Sequence, residues 1–147
     1  MEITKHFTAT TIIIHQEKVL LHLHKKLWLR IPVGGHIDRD ELPEIAALRE
    51  VKEEAGLDVI LWKPDKQINI NDAKELIRPA HILLEDINQF HQHIDFLYYA
   101  TTNTFEVNPQ NWESTNLQWF TADEIKKLIG APDNVKIFSL EALELLS

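Results

Sequence analysis

Residues 34–57 read GGHIDRDELPEIAALREVKEEAGL, and this stretch decides how the chain is read. Pro43 suits the first position of a helix and Gly56 suits its end, so the pattern predicts a helix over 43–55. At 100° per residue with Glu50 at zero, Ile45, Leu48, Val51 and Ala55 fall between about 100° and 220°. They form an expected core-facing stripe. Glu50, Glu53 and Glu54 fall at about 0°, −60° and +40°, so three carboxylates share one arc opposite that stripe. Arg49 lies at about −100°, four residues before Glu53 and within reach of it. Glu41 sits just before the helix, near an expected loop containing Gly34 and Gly35.

Like charges at neighbouring helical positions repel by a few tenths of a kcal/mol per pair. A bound cation explains such a cluster most simply. Oxygen donors suit Mg²⁺ and Mn²⁺, and Mg²⁺ commonly joins one or two carboxylates to substrate phosphates. The adjacent glycines let backbone groups approach the same ion or a phosphate. A Glu-rich helix face is more often merely a solvated one. Here the glycines, Glu41 and Arg49 stand at fixed offsets outside the Glu53–Glu54 pair, which favours a site.

Those offsets resemble the Nudix box, G-x(5)-E-x(7)-R-E-U-x-E-E-x-G-U, with U a bulky aliphatic residue. It reads here Gly35, Glu41, Arg49, Glu50, Val51, Glu53, Glu54, Gly56, Leu57, without mismatch. A chance match in a chain of this length is on the order of one in ten million at ordinary residue frequencies. The strand before the glycines and the late run LQWFTADEI are also similar to MutT-like members. The resemblance implies an α+β chain of the α/β/α sandwich type with a mixed sheet. It also implies Mg²⁺-dependent hydrolysis (Mn²⁺ as substitute) of a nucleoside diphosphate linked to another moiety. Carried onto this chain, Glu50, Glu53 and Glu54 with the Gly34 carbonyl become the metal-facing groups. Glu50 is a ligand or the group that activates water. Arg49 orients Glu53 and Glu41, and Gly56 is structural. Relatives often carry Gly where this chain has Asp40. Many add an acid or histidine from a later loop, for which Glu113 is the candidate. Homodimers are frequent in the family.

Outward from the box, residues 6–14 and 18–24 read as strands joined by a turn at Gln16-Glu17, with His22 and His24 on one face. Residues 28–33 read as a short strand ended by Pro32 and the glycine pair. Further strands are expected at 57–62, 79–87, 93–101 and 117–120. Residues 63–78 read as loop with a turn of helix, and 102–116 as a long loop. Thr121 and Glu124 form a capping box for a helix over 122–129, and a last helix starts at Asp133 or Asn134. No repeat or linker divides residues 1–147, so one domain is expected.

The chain has 147 residues, no cysteine and a formal charge of −8. Thiolate metal sites and cysteine nucleophiles are excluded. So is an isoprenoid diphosphate isomerase on a related scaffold, because that activity depends on cysteine. Duplex nucleic acid is repelled on average, although Lys25, Lys26 and Arg30 are candidates for a local basic groove. No apolar run approaches the ~20 residues of a membrane span. The first residues lack the pattern of a signal peptide, so a cytoplasmic location is expected. His91, His93 and Asp95 alternate at strand spacing and share one face, where a metal or substrate role competes with the commoner surface or core packing of histidines; His93 and Asp95, with His36 and Gly35, are candidates to touch substrate. Trp28, Phe96, Trp112 and Trp119 are candidates to stack on a base, although core packing is the commoner fate of such side chains. A non-catalytic nucleotide sensor on the same fold is the alternative function.

Overall fold

The computed structural model describes residues 2–110 and 114–147. The long central strand β1 (Thr4–His15) turns at Gln16 and Glu17 into β2 (Lys18–His24). Both turn residues have positive φ (43° and 64°), as a two-residue hairpin matched to strand twist requires. The expected strand over 28–33 is split at Pro32 into β3 (Arg30–Ile31) and β4 (Val33–His36). Proline lacks the N–H a ladder needs. Gly34 and Gly35 therefore lie in a strand rather than a loop. β4 pairs antiparallel with β1, Gly35 opposite Ala9 and Gly34 opposite Thr10.

Helix α1 spans Pro43–Ala55, as expected. Gly56 closes it at φ 67°, donating its N–H to the Lys52 carbonyl at 3.0 Å. Only Ile60–Leu61 of the expected strand over 57–62 forms a ladder (β5). The expected helical turn within 63–78 is instead a small hairpin, β6 (Asn69–Ile70) with β7 (Ala73–Lys74). Asn71 takes the positive φ (41°) in its turn. β8 (His81–Asn88) and β9 (His91–Thr101) form an antiparallel pair. β9 begins at His91, two residues before the expected start. β10 (Ser114–Thr121) is longer than expected and leads into α2 (Ala122–Lys127) through the Thr121–Glu124 capping box. Helix α3 spans Asp133–Leu146.

The main sheet runs β10-β2-β1-β9-β5, with β3 on β2, β4 on β1 and β8 on β9. β1 and β9 are parallel while their other neighbours are antiparallel, so the sheet is mixed. Alternation on β1 and β9 builds the two cores. Ala9 and Ile13, with Tyr98 and Ala100, face α1 through Ala46, Ala47, Val51 and Ala55. Ile12, Ile14, Leu97 and Tyr99 face α2 and α3 through Ile125, Val135, Ala142 and Leu143. The result is an α/β/α sandwich. Glu141 fastens α3 to the sheet, accepting from the Tyr99 hydroxyl at 2.7 Å and meeting His81 Nε2 at 2.6 Å. Among the described residues no helix is long and apolar enough to cross a membrane.

Candidate active site

The inward face of α1 keeps half of the expected apolar stripe, Val51 and Ala55, and loses the other half. Ile45 and Leu48 are 48% and 37% exposed, whereas Glu50 and Glu54 are 9% and 4% exposed. The buried arc is Ala46, Ala47, Glu50, Val51, Glu54 and Ala55. Small alanines bring the helix close to the sheet, and the glycines of β4 leave room for carboxylates between them. A Cβ on Gly35 would stand 2.6 Å from Glu50 Cδ. One on Gly34 would stand 2.7 Å from the Ala9 carbonyl oxygen of β1. The Gly34 N–H donates to Glu54 Oε2 at 3.0 Å. In an antiparallel ladder a residue turns both backbone groups toward its partner or both away. The Gly34 carbonyl thus faces the same edge as its N–H, where Glu54 lies.

Arg49 organises the acids. Its Nε and Nη2 donate to the two carboxylate oxygens of Glu41 at 2.9 and 3.0 Å. Nη1 donates to Glu50 at 2.9 Å and meets Glu53 at 3.3 Å, so Glu50 is a closer partner than the expected Glu53. Nη2 also donates to the His36 carbonyl at 3.0 Å and lies 3.6 Å from Asp38. The hydrogen bonds from Arg49 hold the Glu41 carboxyl below the usual carboxylate range, and Glu41 and Glu50 raise the Arg49 guanidinium. The approach to Glu41 turns at Asp40, whose φ of 66° is the left-handed conformation that glycine adopts without cost, in keeping with the glycine the resemblance implies there.

One guanidinium thus faces Asp38, Glu41, Glu50 and Glu53, with Glu54 beside them. The surplus is negative and the donors are oxygens, the set a hard divalent cation takes. The residues present fit such an ion.

A family model described as NUDIX domain matches residues 5–140. The chain belongs to the Nudix family. Among solved structures, it resembles a NUDIX-family hydrolase from Clostridium perfringens at 44% identity and TM-score 0.89, over 99% of this chain and 100% of that one. It also resembles a MutT NUDIX hydrolase from Burkholderia pseudomallei at 19% identity and TM-score 0.69, over 98% and 99% of the two chains. The NUDIX domain of Shewanella oneidensis NrtR, complexed with ADP ribose, matches at 18% identity and TM-score 0.66, over 98% and 90%. No curated protein matches. This Nudix chain is a hydrolase of the pyrophosphohydrolase class.

A cavity of about 440 Å³ opens beside the carboxylates of this Nudix hydrolase. Glu54, Gly34, Gly35 and His36 line it together with Val135 and Phe138 of α3. Asp95 lines it too, 3% exposed, accepting from the hydroxyls of Thr8 and Thr10 at 2.8 Å each. Burial raises its carboxyl in spite of both bonds. Glu85 on β8 faces the same cavity and is pushed up to about 7, by burial first and then by the charge of Asp95. His93 also lines it and is lowered, first by burial and then by neighbouring imidazoles. His22 is lowered to about 4, chiefly by burial.

The structure therefore brings Glu41, Arg49, Glu50, Glu53, Glu54, Gly34, Gly35 and His36 together, with His93 and Asp95 along the adjoining cavity. Glu113 and Trp112 lie outside the described residues. Trp119 donates its indole N–H to the Phe105 carbonyl at 2.9 Å and packs on the core, as does Phe96. Neither lines the cavity. Trp28 is 72% exposed. Arg30 is tied to β10, bonding the Asn116 carbonyl and Gln118 Oε1, rather than standing open in a basic groove. Sequence reasoning missed Glu85, Thr8 and Thr10. The period-two alternation of β1 and β8 was the available signal, but it does not show which strands become neighbours.

Proposed function

We propose that this hydrolase cleaves the pyrophosphate link of a nucleoside diphosphate joined to another moiety, with Mg²⁺ held by Glu50, Glu53, Glu54 and the Gly34 carbonyl, and Mn²⁺ as a working substitute. The observation that carries this reading is continuity. The buried carboxylate Glu54 and the Gly34–Gly35 edge form one wall of a cavity large enough for a nucleoside-sized ligand. The neighbour crystallised with ADP ribose supports the same ligand class. When bound, the cation neutralises phosphate oxygens and acidifies water.

The chain's own residues supply the rest. Glu50 is either a ligand of the cation or the group that accepts a proton from the attacking water, with Glu53 beside it on the helix. A general base needs hydrogen-bond reach of that water. Arg49 holds Glu41 and Glu50 in place, and its hydrogen bonds hold the Glu41 carboxyl below the usual carboxylate range. Gly35 and His36 border the phosphates, while His93 and Asp95 meet the nucleoside side of the ligand. Glu113 is the candidate acid from the later loop.

The test is a panel of nucleoside diphosphate derivatives, ADP-ribose and nucleotide sugars among them, with and without Mg²⁺, each product identified by chromatography. At least one compound is split at its phosphoanhydride only when metal is present. Glu54→Gln lowers turnover by at least about 100-fold with the fold intact. Binding of these ligands without turnover of any, at any metal concentration, would instead establish a nucleotide sensor.

A further inference from the structure

Four histidines from three strands meet in a closed ring beside the mouth of the cavity. The parallel register sets His6 of β1 opposite His93 of β9, with Thr4 opposite His91. The antiparallel register places His36, the last residue of β4, opposite Thr8. His6 contacts His91 and His36 with ring centroids 4.5 and 5.4 Å apart. His93 contacts His36 and His91 at 5.2 and 5.0 Å. All four contacts are edge-to-face.

The nitrogens of this ring turn toward one another. His6 Nδ1 lies 2.5 Å from His91 Nε2. One ligand nitrogen each from His6, His36 and His91 falls within 4.8 Å of the others. His93 Nε2 is buried and, among the described residues, has no hydrogen-bond partner. Lone pairs that face one another repel unless a proton or a cation stands between them. A single shared proton serves the His6–His91 pair but leaves the buried His93 Nε2 without a partner among the described residues.

We propose that His6, His36 and His91 bind a late first-row divalent cation, Zn²⁺ being the representative case, at a site distinct from the carboxylates. An all-imidazole donor set suits Zn²⁺, Cu²⁺ or Ni²⁺ and disfavours Mg²⁺. Zinc–imidazole bonds are about 2.0–2.1 Å, so two ligands of one tetrahedral ion stand roughly 3.3 Å apart. The His6–His91 nitrogens, at 2.5 Å, stand closer than that, and all three ligand nitrogens lie within 4.8 Å of one another. His6 and His36 are exposed and reach the tetrahedral spacing by side-chain rotation. Three protein nitrogens leave a fourth position for water or a ligand oxygen. His36 lines the cavity, and its carbonyl is held by Arg49, so the ion sits where it can meet the phosphate end of a bound ligand. The cation site itself does not depend on the proposed reaction.

Calorimetric titration of the untagged chain with Zn²⁺, in a large excess of Mg²⁺, tests this directly. One zinc per chain is expected. His6→Ala and His91→Ala each weaken it by at least about tenfold, since outer partners of a metal site alone are worth 10–100-fold. Glu54→Gln leaves zinc affinity unchanged. In the wild-type chain, histidine ring NMR signals report the same event without any variant: three ring systems shift on addition of zinc. Unchanged affinity in the His6/His91 double variant, loss of zinc binding in Glu54→Gln, or no zinc uptake by the wild type would each overturn the assignment. None of these results bears on whether the carboxylates hydrolyse phosphoanhydrides.

Discussion

Replacing Gly35 by Ala separates the shape of the carboxylate site from its chemistry. Gly35 is not in the left-handed region, so an alanine meets no backbone strain there. Its methyl group would stand 2.6 Å from Glu50 Cδ, and ordinary contact starts at 3.4 Å. Glu50 Oε1 is closer still, so the carboxylate must retreat by about 1 Å. It is the end of a flexible side chain, so the retreat is mechanically easy. However, the Arg49 bond to Glu50 is only 2.9 Å long and stretches or breaks as it moves. A displacement near 1 Å at a reacting group lowers rate by about 100-fold. We expect Gly35→Ala to keep a thermal midpoint within roughly 2 °C of wild type, a change below about 1 kcal/mol. Its kcat/KM on the best compound of the panel should fall by about 100-fold. Steady-state kinetics and a thermal scan on one preparation decide the matter. A variant with wild-type kcat/KM would refute the claim that the missing Cβ exists to seat Glu50. A variant that unfolds would show that Gly35 serves the sheet instead.

Three other perturbations follow from the same geometry. Arg49→Lys cannot bind both Glu41 oxygens while reaching Glu50, Glu53 and the His36 carbonyl, so kcat/KM should drop about 100-fold; lysine restoring full activity would contradict the multidentate role. Gly56→Ala places a side chain at φ 67° and its Cβ 2.5 Å from the Asn108 carbonyl carbon, so the thermal midpoint should fall by at least about 4 °C; an unchanged midpoint would show that the 102–110 segment gives way freely. Glu85 has a folded-state pKa of about 7, raised above its ordinary value of 4.5, so the unfolded chain releases this proton first and stability falls as pH rises between those values. Glu85→Gln should therefore raise the midpoint by roughly 2–4 °C above pH 7 and bring no gain below pH 4, as measured by thermal scans across pH; a gain of equal size at both ends would exclude the carboxyl as its source.

Local features of this chain were legible without coordinates because their causes are local. Pro43 and Gly56 bound α1, and Thr121 with Glu124 starts α2, through contacts spanning a few residues. The i, i+3 and i+4 spacing of Glu50, Glu53 and Glu54, with Arg49 and Glu41 at their offsets, marked the acidic cluster for the same reason. The strand split at Pro32 and the hairpin within 63–78 were missed because short ladders depend on a partner elsewhere in the chain.

The sequence by itself determined which side chains can gather around a hard cation, since helical periodicity sets their directions relative to one another. Only the tertiary structure decided which way that arc points. Apolar periodicity turned Ile45 and Leu48 inward, but the glycine edge of β4 and the small alanines of α1 turned Glu50 and Glu54 inward instead. The cavity walls and the histidine ring also belong to the tertiary structure. They join β1, β4, β8 and β9 through registers between residues as much as 87 positions apart, such as Thr8 with Asp95. Spacing along a single element carries no information about such distant pairings.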